Sequence, residues 1–344
     1  MPTASIDLLL ASTAMIIVVV GSIYGVNLAV EPYMGGPGAH HESYRQIERY
    51  MLLARGEPDG WGAGGEPTAL GFASSGGAYE LDIDKVTRLN PSNANALNYF
   101  QLWSSLGVED VSFRIRVDML FNLTLSMASS QSQGGNTTYT FNTSTTRRGY
   151  PLPTDVRYYV AARGLTDSRI GATGENGSGA VEFSLPNSLS GTALLVGFAR
   201  VEGSIVSCSV LPFAHNSPPP EPPGSFASLS PLNYTLNVNL AEDASVVNAA
   251  VFSLGYMFNL TGDGASYGIP RLLDASPMVL VVTGMDGSSY WAEWATYPQV
   301  PLVMGANMSD AYAISDVASV SYLVEVKGAL YRFEVRFRSP VDDD

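Results

Sequence analysis

The chain has 344 residues, with 18 Lys plus Arg against 32 Asp plus Glu, a formal net charge of −14. That acidity argues against nucleic-acid binding, which needs Lys and Arg to displace counterions from phosphates, and 46% hydrophobic residues argue against disorder. One cysteine, Cys208, excludes a disulfide framework and a multi-thiolate metal site, and three histidines leave little for acid–base chemistry near pH 7.

Residues 8–30 read LLLASTAMIIVVVGSIYGVNLAV without a charge. As a helix at ~1.5 Å per residue they span roughly 34 Å, enough for a bilayer core of about 30 Å. A cleaved secretory signal is the competing reading. It is disfavoured because no Lys or Arg precedes the run and no A-x-A site follows it. Gly21 and Gly25 form a GxxxG pair, which lets helix backbones approach closely and favours self-association. Arg45, Arg49 and Arg55 lie well past the run, interleaved with Glu42 and Glu48. The positive-inside rule is therefore set aside, and the downstream bulk is expected outside the cell.

Residues 31–41, rich in Gly and Pro, predict a hinge. Tyr44, Ile47, Met51 and Ala54 then share a helical face that Gly56 ends. Two more short helices are expected after the loop 56–67. One buries Ile83, Val86 and Leu89; the other buries Leu97, Phe100, Trp103 and Leu106 and stops at Gly107. Asp82 and Asp84 read as caps of the first, because the spacing of an EF-hand loop is absent.

From Val111 the period becomes two. Phe113, Ile115, Val117 and Met119 alternate with Arg114, Arg116 and Asp118, a half-buried strand. Further strands are expected at 121–127, 137–143, 155–163, 178–185, 192–201 and 204–211, a density that suggests an antiparallel sandwich. The stretch NGSGAVEFSLP (residues 176–186) resembles part of a recurring Ig-like surface module. Residues 216–224, NSPPPEPPG, predict a semi-rigid polyproline spacer. Beyond it, Tyr234, Leu236, Val238 and Leu240, and later Tyr331, Phe333, Val335 and Phe337, again alternate with polar residues.

The expected fold is thus mainly β, with an N-terminal transmembrane or filament helix at 1–31 and a hinge and short helical module at 32–109. An Ig-like antiparallel β-sandwich follows at 110–215, packed with 42–109. The Pro-rich linker 216–224 then leads to a second β-rich domain at 225–344.

Seven N-x-S/T sequons, at Asn122, Asn136, Asn142, Asn176, Asn233, Asn259 and Asn307, are candidate N-glycosylation sites and favour an exported glycoprotein. No G-x-S-x-G, H-E-x-x-H or P-loop occurs. Cys208 sits in an alternating strand as a small buried hydrophobe, and His40 and His41 lack a third ligand on a rigid frame. No catalysis, cofactor or metal is expected. Strand packing is the plainer reading of WAEWATYPQVP (residues 291–301); the sharper one is a partner patch of Trp291, Trp294 and Tyr297.

Six features together resemble archaeal type IV pilin-like cell-surface proteins. They are ASIDLLLASTAMIIVVV (4–20), a helix with the pair Leu52 and Leu53, GEPDGWG (56–62), LGFAS (70–74), LDIDKVTRLN (81–90) and LGVEDVSFRIRV (106–117). The resemblance implies a helix stored in the membrane and then packed with its copies, or with other pilin-like subunits, as a filament core. It also implies an acidic residue near the processed N-terminus. Asp7 would be the fifth residue if processing left Thr3 first. Only Met1 and Pro2 precede that point, which leaves open a misplaced start or a helix kept as a plain membrane anchor. The expected location is the cell membrane with extracellular domains, or an extracellular filament, and the expected task is structural. A membrane-anchored binding module for a solute or polysaccharide is the alternative.

Overall fold

The computed structural model describes residues 37–107, 111–272, 276–287, 289–308 and 317–338. The apolar run 8–30 lies outside them, and with it Asp7, Gly21 and Gly25. Among the described residues no helix is long and apolar enough to cross a membrane. The described residues are mainly β, with 56% strand in several antiparallel sheets and 9% helix. The chain divides into one unit ending at Glu48 and another from Arg49 onward.

Helix α1 (Pro37–Leu53) starts inside the stretch expected as a hinge. Proline suits the first helical turn, where its missing N–H has no partner to lose. The larger unit begins with a small module in which Trp61 is fully buried and donates from Nε1 to the Gly71 carbonyl at 3.0 Å. Helix α2 (Ile83–Thr87) is capped by Asp82, whose carboxylate accepts from Asp84 N and Lys85 N. Helix α3 (Tyr99–Leu106) has a reciprocal cap between Asn98 and Gln101 and stops at Gly107, at φ 65°. The cap shifts the expected apolar face. The helix starts after Leu97, so Leu102 is buried, whereas Phe100 is 76% exposed.

Strand β1 (Ser112–Met119) alternates as expected but pairs far from its neighbours in sequence. Its partners are β17 (Leu302–Gly305) and β19 (Ala329–Arg338), and β18 (Val317–Val326) completes this sheet. The strand expected to open the 110–215 sandwich is thus a central strand of a sheet otherwise built from residues 302–338. Apolar alternation fixes which face is buried and says nothing of the partner. Phe333 and Phe113, on the inner face, meet Phe72 (5.6 Å) and Tyr99 (5.0 Å) of the small module.

The next strands form two facing sheets. One contains β2 (Asn122–Gln133), β3 (Asn136–Arg147), β4 (Tyr150–Pro151) and β7 (Ser178–Pro186). The other has the order β6 (Leu165–Thr173), β5 (Thr154–Ala162), β8 (Gly191–Arg200) and β9 (Val206–His215). Their shared core includes Phe141, Tyr158, Phe183, Leu195 and Phe213.

The opposite face of β5 and β8 is covered as well. Tyr159, Leu194, Val196 and Phe198 pack on Phe252, Val279 and Val281. These belong to a third sheet, ordered β13 (Met257–Asn259), β12 (Ala244–Phe252), β15 (Met278–Asp286) and β16 (Ser289–Tyr297). Three sheets are therefore stacked, and β5 and β8 lie in the middle layer. The two halves flanking residues 216–224 share a core. A small sheet of β10 (Ala227–Leu232), β11 (Thr235–Leu240) and β14 (Ser266–Gly268) completes the strands named here.

Candidate functional site

Residues of GEPDGWG, LGFAS and LDIDKVTRLN take part in a buried polar hub with residues from the later strands. Asp84 Oδ1 accepts from the Tyr297 hydroxyl at 2.6 Å and from the Asn233 N–H at 2.7 Å. Burial pushes the Asp84 carboxyl up, and the Tyr297 hydroxyl opposes that shift. Lys85 Nζ donates to the Arg55 and Ala73 carbonyls at 2.7 and 3.2 Å and lies over the Trp61 ring. Asn93 Nδ2 donates to the Pro231 carbonyl and to Gln299 Oε1. These bonds run between elements far apart in the sequence, so the hub joins them.

The expected partner patch does not form on β16. Trp291 and Tyr297 are 1% and 0% exposed. Trp291 stacks on Phe226 with an interplanar angle of 7°, and Tyr297 holds Asp84. Trp294 is half-buried and lines a hollow of about 400 Å³ beside Pro223 and Leu229. Glu293 on the same strand accepts from Gly224 N and Phe226 N, which fastens the end of the Pro-rich stretch.

Cys208 and His215 are also structural. Cys208 is half-buried, less than expected, and lines a groove beside Met119 and Ser207; the burial it has pushes its thiol up to about 12. His215 is enclosed between the Tyr139 hydroxyl at 2.9 Å and the Pro186 carbonyl at 3.0 Å. Among the described residues no cluster of His, Cys, Asp and Glu could hold a metal ion.

All seven sequon asparagines are exposed. Three of them lie on one face. Asn136 and Asn142 point outward from β3, and Asn122 on β2 pairs opposite the outward Thr146. Asn176 sits in the turn before β7. Apart from Glu182, the outward positions of β2, β3 and β7 carry hydroxyl, amide or small side chains.

The sheet of β1 and β19 has the opposite character. Ser112, Arg114, Arg116 and Asp118 stand across from Arg338, Arg336, Glu334 and Arg332, so five arginines share its outer face. Where β1 leaves this sheet and β2 begins, a groove of about 770 Å³ opens. Arg116 and Arg332 line it, with Arg147 at the end of β3 and Arg148 in the turn after it, against the single carboxylate of Asp118. Arg116 Nε and Arg332 Nη2 approach the same oxygen, Asp118 Oδ2, at 2.6 and 2.8 Å. Arg147 and Arg148 are exposed and have no carboxylate within 4 Å among the described residues. The alternation of Arg114 with Arg116 and of Arg332 with Arg336 and Arg338 was visible in the sequence. Their convergence depends on a pairing across more than two hundred residues.

Neither protein-family models nor curated proteins give a match to this chain.

Proposed function

We propose that the chain is a pilin-like structural protein of the cell surface. Residues 8–30 hold it in the membrane or in a filament core, and an Ig-like sandwich with further β layers is displayed outward as a glycoprotein. The reading rests on one arrangement: an uncharged 23-residue run stands ahead of a helix and a mainly β body whose sequon asparagines are all exposed. In this reading the apolar helix acts by burial against lipid or its own copies, without catalysis.

The test is to isolate the protein from its native envelope, sequence its N-terminus by mass spectrometry and image it by electron microscopy. A processed N-terminus in filaments supports the reading. Gly21→Leu or Gly25→Leu should then abolish assembly and leave the thermal unfolding of the β body unchanged. Filaments of normal yield from both variants would sink it. The second reading, a membrane-anchored binding module, draws on the arginine groove; it expects dispersed particles that bind a ligand.

A further inference from the structure

We propose that the groove lined by Arg116, Arg147, Arg148 and Arg332 binds an acidic oligosaccharide, one bearing carboxylate or sulfate groups. The site would serve a filament subunit or a lone anchored protein equally.

Charge is the first argument. The chain carries −14 overall, yet this groove gathers four arginines around one aspartate. Arginine side chains held close together repel one another, and Asp118 neutralises only one of the two that touch it. Arg147 and Arg148 remain free to form bidentate bonds, which their planar forks make well with carboxylate or sulfate oxygens.

Size and wall chemistry narrow the class. About 770 Å³ lies within the range of roughly 300–1,000 Å³ found for small-ligand sites. Thr124, Thr146 and Ser321 supply hydroxyls to the walls, which suits a ligand that is itself rich in hydroxyls. Leu323, 59% exposed, offers an apolar ledge for a sugar ring face. Nucleic acid fits poorly, because stacking platforms are needed and the one aromatic wall of suitable kind, Tyr322, is stacked on Tyr79 at 5.7 Å.

Two sources share this chemistry. Asn122, a sequon residue, lines the same groove, so an acidic glycan attached there would reach the arginines in cis. Otherwise the ligand is an acidic polysaccharide from outside.

The experiment uses the full-length protein from its native envelope in detergent, and its Asn122→Gln variant. Both are titrated calorimetrically with oligogalacturonate, with a sulfated oligosaccharide, and with maltohexaose as the neutral control. Saturable binding of an acidic oligomer and none of maltohexaose is expected. Binding by both proteins identifies an external ligand; binding by Asn122→Gln alone identifies the attached glycan as the occupant. Arg147→Ser with Arg148→Ser should weaken binding at least tenfold, while Arg200→Ser, on an exposed strand end, leaves it unchanged. The double variant changes two exposed residues, one at the end of β3 and one in the turn, so its melting temperature should hold. Failure of both proteins to bind, or undiminished binding by the double variant, overturns the proposal. So does tighter binding to anionic lipid vesicles or to polyphosphate of equal charge.

Discussion

Glu48 shows how a single buried group sets a pH dependence. It is fully buried in α1, and neither carboxylate oxygen has a hydrogen-bond partner among the described residues. Burial pushes its pKa up to about 7 against the opposing pull of Arg45. The unfolded chain releases this proton near 4.5, so the folded state binds the extra proton between about 4.5 and 7. Stability from this group is therefore lost as pH rises through that window. Glu48→Gln should stabilise the protein by about 1–3 kcal/mol at pH 8 and leave it unchanged below pH 4. Denaturant titrations at the two pH values measure the difference.

At the level of elements, β15 and β16 show why strand packing, the plainer reading of the aromatic run, prevails over the partner patch. Trp291 pairs directly across from Gly284. A Cβ on that glycine would lie 2.2 Å from the indole and 2.1 Å from the Ser245 carbonyl oxygen. The ring lies flat over a residue that has no side chain, so Gly284→Ala should cost about 1–3 kcal/mol of stability through overpacking, measured by urea unfolding. Local signals were legible where the cause was local. The cap at Asp82, the stop at Gly107 and the alternation through Phe113 and Phe333 all read correctly. The middle layer also left a trace: YYVAA in β5 and ALLVGFA in β8 are apolar at successive positions, which marks strands covered on both faces. The convergence of Arg116 and Arg332 left none, because each strand alone shows only a wet face.

On the scale of the whole molecule, the Pro-rich stretch 216–224 is not a seam along which the structure separates. It is mostly exposed, yet the strands on either side of it share the core of Tyr159, Phe198, Phe252 and Val281. A protease site inserted between Pro220 and Glu221 should be cut without dissociation. The nicked protein should elute at its original size in gel filtration and split only in denaturant. Separate folded fragments would contradict the three-layer stack. The charge distribution has the same scale. The outer face of β2, β3 and β7 is nearly free of charge and bears three sequons, while the outer face of β1 and β19 gathers five arginines. Glycans on the first would leave the second as the surface with strong electrostatic character.

The pairing of β1 has a consequence in time. Its partners begin at Leu302 and end at Arg338, so roughly 180 residues must be synthesised after β1 before it has a partner. At about 5–20 residues per second that is an interval of roughly 10–40 s. During it the strands from β2 to β9 can meet their neighbours, whereas β1 waits with both edges open. This sheet, which carries half of the arginine groove, is therefore the last part of the molecule to close during synthesis.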